Sequence, residues 1–244
     1  MRLALLSDIH ANHTALQAVL SDIRGQRIDS IVCLGDVATM GPQPKQVIAA
    51  LQELGCPCIM GNHDEAVVQT DRAPQYQIAP PLIPLLHWCA AQLDENEKNF
   101  LRSFKPTLEI PLEANNSLLC FHGSPRSNIE NIFAVTPPDD VDQMLAAHTA
   151  NIFACGHTHL QMLRQHKGQL IVNAGSIGHP FRQTPVNGTP PTLLPWAEYA
   201  IVSSTQESLS VDLRRVFFDF KIFAETISRN DMPLKERWFQ QYSL

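Results

Sequence analysis

Seven side chains with the chemistry of divalent-metal ligands fall in five short, separated blocks of the chain. Asp8 and His10 stand in Ser7-Asp8-Ile9-His10, Asp36 in Leu34-Gly35-Asp36, and Asn62 in Gly61-Asn62-His63-Asp64. His122 follows in Phe121-His122-Gly123, and His157 and His159 in Gly156-His157-Thr158-His159. Imidazole, carboxylate and amide oxygen suit Mn, Fe, Zn, Ni or Co better than they suit a thiolate-type centre. Asp8/His10 and His157/His159 are i, i+2 pairs. In extended chain such pairs project to one side, about 6.6 Å apart along the backbone, within reach of two ions roughly 3.5–4 Å apart. A buried structural role accounts for any one of these residues. It does not account for all of them falling at strand ends, with Gly35, Gly61, Gly123 and Gly156 each adjoining one of them, where a backbone can turn sharply.

The elements that must position these blocks alternate from the first residue. Arg2–Leu6 reads as a buried strand, followed by Leu16, Val19, Leu20 and Ile23 at helical spacing. Ser30–Leu34 is a second strand, Val47, Ile48, Leu51 and Leu54 a second amphipathic helix, and Cys58–Met60 a third short strand. Such repeats favour right-handed βαβ units and a largely parallel sheet. Residues 81–104 read as a helical insert of two helices, the second opened by Asp94 with Glu97 three residues on, a capping box. Thr107–Leu112, Leu118–Phe121 and Ile152–Cys155 read as strands, with a helix opened by Pro137 between the last two. Beyond Leu160 the pattern turns mostly β. Gln161–His166 and Gln169–Val172 flank a Lys167-Gly168 turn, and Ala197–Ser203 and Ser208–Phe217 precede a short helix near Phe220–Ile227. One domain over residues 1–244 with two sheets is the simplest organisation. Each metal-competent block then follows a strand, at the edge where open α/β sheets bind ligands.

Composition narrows the setting. At 44% hydrophobic and 17% charged, the 244 residues can bury a substantial core. The net charge of −6 argues against general nucleic-acid binding. Ile78–Leu93 is too short and too broken by prolines to span a membrane, and Leu3–Leu6 is no signal-peptide core, so the expected location is cytoplasmic. Six cysteines without a paired framework read as buried thiols.

The five blocks together, in this order, resemble the calcineurin-like metallophosphoesterase superfamily. Gly41-Pro42 after Gly35-Asp36 resembles its small single-domain bacterial and archaeal phosphodiesterase branch. The resemblance covers roughly residues 1–182. It implies an α/β fold of two stacked mixed β-sheets flanked by helices, a four-layer α/β/β/α sandwich, and a dinuclear centre of two divalent metal ions, Mn²⁺ first among them. By position it assigns Asp8, His10 and His159 to one metal, Asp36 as a bridge, and Asn62, His122 and His157 to the second. His63 becomes the catalytic acid, oriented and kept protonated by Asp64. The implied function is a hydrolase that cleaves phosphodiester bonds by attack of a metal-bound hydroxide, on a phosphoester substrate. A phosphoprotein or nucleotide phosphatase using the same centre is the first alternative, and a non-catalytic protein-binding scaffold the second.

Further candidates surround this set. Arg126, in Ser124-Pro125-Arg126, and His179 and Arg182, beyond the family-like loop Asn173-Ala174-Gly175-Ser176, are expected to reach the substrate. Asn12 is expected to cap the first helix, and His87, His148 and His166 to be structural or surface residues. Leu82, Ile83, Leu85, Leu86 and Trp88 are expected to pack into the core, with a lid over the cleft or a homodimer surface as the other readings.

Overall fold

The computed structural model describes residues 1–186 and 189–242. The first strand, β1 (Arg2–Leu6), is followed by α1 (His13–Arg24), β2 (Ser30–Cys33) and α2 (Pro44–Leu54). Asn12 caps α1 as expected, its side chain accepting from the Ala15 amide at 3.0 Å. Then come α3 (Asn62–Val68), two 3₁₀ turns (Thr70–Tyr76 and Pro80–Leu82), α4 (Ile83–Gln92) and α5 (Glu95–Arg102), the last opened by the Asp94/Glu97 capping box. β3 (Thr107–Pro111), β4 (Ser117–Phe121), α6 (Pro138–Leu145), β5 (Ile152–Cys155), β6 (Met162–His166) and β7 (Gln169–Asn173) follow. The chain continues with β8 (Trp196–Ser204), β9 (Leu209–Phe217), α7 (Phe220–Arg229) and α8 (Lys235–Gln241).

Among the described residues these strands form two mixed sheets, in the orders β2-β1-β8-β9 and β3-β4-β5-β7-β6. β1 pairs parallel with β2 and antiparallel with β8, while β4, β5 and β7 run parallel and β3 and β6 close the edges antiparallel. The two-residue side-chain period of the strands builds three cores. Leu3 and Leu5 of β1, with Ala200 and Val202 of β8, meet Leu118, Cys120, Ile152, Ala154 and Val172 of the second sheet. The alternate residues Ala4, Leu6, Tyr199 and Ile201 pack under Leu16 and Val19 of α1 and Ile48 and Leu51 of α2. Phe121, Phe153 and Ile171 pack under Val141 and Leu145 of α6. The molecule is therefore the expected α/β/β/α sandwich.

Three local expectations are corrected. Cys58–Met60 is not a strand: single bridges from Cys58 to Cys33 and from Ile59 to Lys105 are all the pairing this short segment makes. Asn62, His63 and Asp64, expected to follow a third strand, lie in the first turn of α3. The helix α8 was not expected. It is seven residues long, starts from Leu234 in a left-handed conformation and has no side-chain cap, so nothing in its sequence marks its start.

The segment 81–104 forms helices as expected. α4 buries Leu85, Leu86, Cys89 and Ala90 in the core shared with α2 and α3, while Leu82, in the turn that leads into it, lines a cleft described below. No helix among the described residues is long and apolar enough to cross a membrane.

Candidate functional site

The carboxyl ends of β1, β2, β4 and β5 and the amino end of α3 meet at one edge of the sandwich. Asp8, His10, Asp36, His122 and Asn62 are all at most 2% exposed, and His159 is 5% exposed. Asp8, His10 and His159 bring one ligand atom each within 4.8 Å of one another, and Asp36, His122 and His157 do the same. Within the first group the Nε2 atoms of His10 and His159 stand 2.9 Å apart, with Asp8 Oδ1 at 3.7 and 3.2 Å from them. Asp36 Oδ2 lies 3.3 Å from His122 Nε2 and 3.9 Å from His10 Nε2, so one carboxylate oxygen faces both groups. Asn62 Oδ1 is 3.2 Å from His122 Nε2.

Local backbone geometry, rather than extended chain, makes the side chains converge. Asp8, His10, Asp36, His157 and His159 all have positive φ, between 47° and 67°. For side chains with a Cβ this left-handed region costs about 1–2 kcal/mol per residue, and it persists because the loops lock one another. The Asp8 amide donates to Gly35 O, His10 to Asp36 O, Gly156 to His122 O and Gly178 to Asp8 O, all at 2.9–3.0 Å. Glycine is required where these loops touch. A Cβ on Gly61 would overlap the Asp36 carboxylate, and one on Gly156 would overlap Ser7 Oγ and the Asp8 carboxylate.

Hydrogen bonds fix the tautomers. Carbonyl oxygens only accept, so Nδ1 of His122 donates to Leu34 O and Nδ1 of His159 to His179 O, both at 2.7 Å. Their Nε2 atoms face the carboxylates, the arrangement by which metal-binding histidines are held. Asp8 Oδ2 accepts from Ser7 Oγ at 2.6 Å and from the His157 amide at 3.0 Å. Its other oxygen, Oδ1, is buried with no hydrogen-bond partner and faces two imidazole nitrogens. A buried, unpartnered carboxylate oxygen among imidazoles fits a divalent cation, and the donor set agrees.

The electrostatics point the same way. Burial works against ionised carboxylates, yet the surrounding imidazoles hold Asp8 and Asp36 well below the usual range. Burial likewise opposes protonation of His122, but the Asp36 carboxylate prevails and holds its pKa up to about 10. Burial lowers His157 to about 4 and His63 to about 3.

Asp64 does not touch His63. Its carboxylate accepts from the backbone amides of Asp36 at 2.7 Å, Val37 at 2.9 Å and Gly61 at 3.0 Å, tying the loop after β2 to the start of α3. The expectation that Asp64 orients His63 and keeps it protonated is therefore corrected, because a first-turn carboxylate of α3 reaches backbone donors instead. The partner of His63 is Thr39, whose Oγ1 lies 3.0 Å from His63 Nδ1 and 3.4 Å from His10 Nδ1. Sequence reading missed Thr39; its only signal was its place between Asp36 and Gly41-Pro42.

The outer candidates separate. Arg126 is not brought to the site: Glu130 holds its guanidinium at 2.6–2.9 Å. Arg182 is exposed and does not line the cleft beside the site. His179 is buried, stacks on Trp238 at 4.5 Å and 11°, and lies 5.3 Å, ring to ring, from His10. It does not line the cleft, and Ser176 of the same loop donates to Asp8 O at 2.7 Å. His166 is structural as expected, 2.8 Å from Asp142. The cleft itself, about 550 Å³, opens over Asp36, Asn62, His63, His157 and His159.

An α/β/β/α sandwich with paired His/Asp groups at its strand ends defines a class, and comparison with known proteins agrees. The family model for the calcineurin-like phosphoesterase superfamily domain matches residues 1–189. The chain belongs to that superfamily. An uncharacterised protein of Methanocaldococcus jannaschii is 27% identical over 244 residues, covering 97% of each chain. The crystal structure of a metallophosphoesterase from Sphaerobacter thermophilus is 25% identical, with a TM-score of 0.71 over 94% of each chain. A hypothetical protein from Pyrococcus horikoshii OT3 is similar in fold, with a TM-score of 0.79 at 22% identity, over 96% of this chain and 95% of that one.

Two outcomes follow from the geometry. Asp64→Asn removes one acceptor from three buried amides, so it should lower stability in urea by about 1–3 kcal/mol and weaken divalent-metal binding. Unchanged stability and metal affinity would contradict the backbone-tying role. Because His122 Nε2 favours a proton up to about pH 10, a cation on that atom must displace it. Divalent-metal affinity should therefore rise as pH increases from 6 to 9, with proton release visible by calorimetry in buffers of different ionisation enthalpy. A flat profile would contradict the assignment of His122 as a ligand.

Proposed function

We propose that the protein is a dinuclear metal-dependent phosphodiesterase, with Mn²⁺ the favoured ion, working in the cytoplasm. Asp8, His10 and His159 would hold one cation, Asn62, His122 and His157 the other, and Asp36 both. The observation that carries this reading is the unpartnered Oδ1 of buried Asp8, beside a second carboxylate that faces both imidazole groups. The six cysteines are all free, which supports a reducing compartment.

Two bound divalent ions would supply Lewis acidity that polarises a phosphoryl group and makes a hydroxide nucleophile available near neutral pH. The rest falls to this chain's own residues. His63 lines the cleft, and burial keeps it neutral. With a cation held on Nε2 of His10, the proton of a neutral His10 would sit on Nδ1 and donate to Thr39 Oγ1. The Thr39 hydroxyl then donates to His63 Nδ1, which leaves the His63 proton on Nε2. A neutral His63 keeps that proton and donates a hydrogen bond from Nε2 to the departing oxygen, stabilising the charge that develops on it.

The diester preference rests on charge. Among the described residues the cleft has no lysine or arginine lining it, and Arg126 is engaged by Glu130. A monoester dianion would bring one more negative charge with no lysine or arginine in the cleft lining to meet it.

The test is hydrolysis of an aryl phosphodiester by chelator-stripped protein, with and without added Mn²⁺, beside the matched monoester. Turnover should return with Mn²⁺ and favour the diester. His63→Gln should lose about 10²–10³-fold in kcat with its metal content unchanged. Equal or faster monoester cleavage would support a phosphatase instead, and no turnover under any metal a scaffold. Full activity of His63→Gln would remove His63 from the reaction.

A further inference from the structure

The cleft beside the metal groups is unlike the groups themselves. Its walls beyond the ligands come from four separate parts of the chain: Met40 after β2, Leu82 before α4, Phe181, Val186 and Leu193 in the loop before β8, and Trp238 on α8. Val186 is 65% exposed, an apolar side chain turned to open space at the mouth of a site. Prolines 80, 81, 185, 190 and 191 add rigid apolar surface that binds without losing side-chain freedom. At about 550 Å³ the space falls within the range of sites for small organic ligands. Among the described residues its only formally charged lining group is Asp36, apart from the histidines, and that carboxylate belongs to the metal set.

Resting on the phosphodiesterase reading, we propose that this cleft takes an uncharged, apolar ester substituent of the substrate, while the phosphoryl group sits at the His/Asp end. The five blocks specify the phosphorus, and the walls specify what is attached to it. Apolar walls favour such a group in proportion to the area they remove from water. They disfavour substituents bearing carboxylate or further phosphate, because a charge buried there would lose its hydration with no partner in return.

The inference is tested on the full-length Mn²⁺-loaded protein with three monoanionic-centre diesters: diphenyl phosphate, dimethyl phosphate and bis(4-carboxyphenyl) phosphate. Binding is read by calorimetry and as competitive inhibition of an aryl phosphodiester's hydrolysis. Diphenyl phosphate should bind at least tenfold more tightly than either of the others, and the gap should narrow to threefold or less in Leu82→Asn/Val186→Asn. Val186 is largely exposed and Leu82, half-buried, also packs against the edge of the core, so the double variant's thermal midpoint is measured beside its binding. Equal binding of the three diesters, or a gap the double variant leaves intact, would overturn this inference alone. Failure of all three to bind by either readout would overturn the phosphodiesterase reading and this inference with it.

Discussion

Two buried carboxylates set the terms for everything else at this edge of the sandwich. Asp8 and Asp36 are no more than 1% exposed, and both are held ionised by imidazoles rather than by lysine or arginine. A buried charge retains an effective penalty of several kcal/mol unless something meets it. Backbone amides, Ser7 and the surrounding histidines meet part of it. The unshared Oδ1 of Asp8 shows where hydrogen bonds stop and a cation fits. The strand ends, the glycines and the left-handed turns are the means by which a protein core holds such a cluster together.

That holding has a cost, visible in the backbone. Five of the candidate ligand positions lie at positive φ, each outside the region its side chain prefers. Two sheets bring the loops close enough to hydrogen-bond one another, and Asp64 spends its carboxylate on three amides of the Asp36 loop and α3. Strain of this kind survives where surrounding structure over-determines it, and it gathers at sites that must be rigid. Rigidity here places neutral His63, through Thr39, beside the same cluster. One network, through Thr39, thus joins His10 of the cluster to His63 at the cleft.

Much of this was legible in the sequence, for identifiable reasons. β1, β2, β4 and β5 are short apolar runs closed by a candidate ligand, with a glycine beside it after β2, β4 and β5, so period and punctuation agreed on where they end. The capping box at Asp94 and the Lys167-Gly168 turn were equally readable, with both turn residues at positive φ. What escaped depends on long-range placement. Whether Asp64 reaches His63 or the Asp36 amides is decided by the angle at which α3 leaves its loop, which no local pattern encodes. Arg126 follows a ligand by four residues, yet Glu130, four further on, claims it. The cleft wall of Phe181, Leu193 and Trp238 joins a Gly/Pro-rich loop to an uncapped C-terminal helix, and neither carries a periodicity that announces it.

The central claim, that Asp8, Asp36 and their imidazoles are one cation-binding unit with Asp36 shared, is tested most directly by counting metal. Chelator-stripped protein and Asp36→Ala would be equilibrated with Mn²⁺ and bound metal measured per chain by elemental analysis and equilibrium dialysis. The account predicts two ions per native chain and, in Asp36→Ala, weakening at both sites at once. Loss of a single ion with the other's affinity intact, or a native chain that binds none, would contradict it.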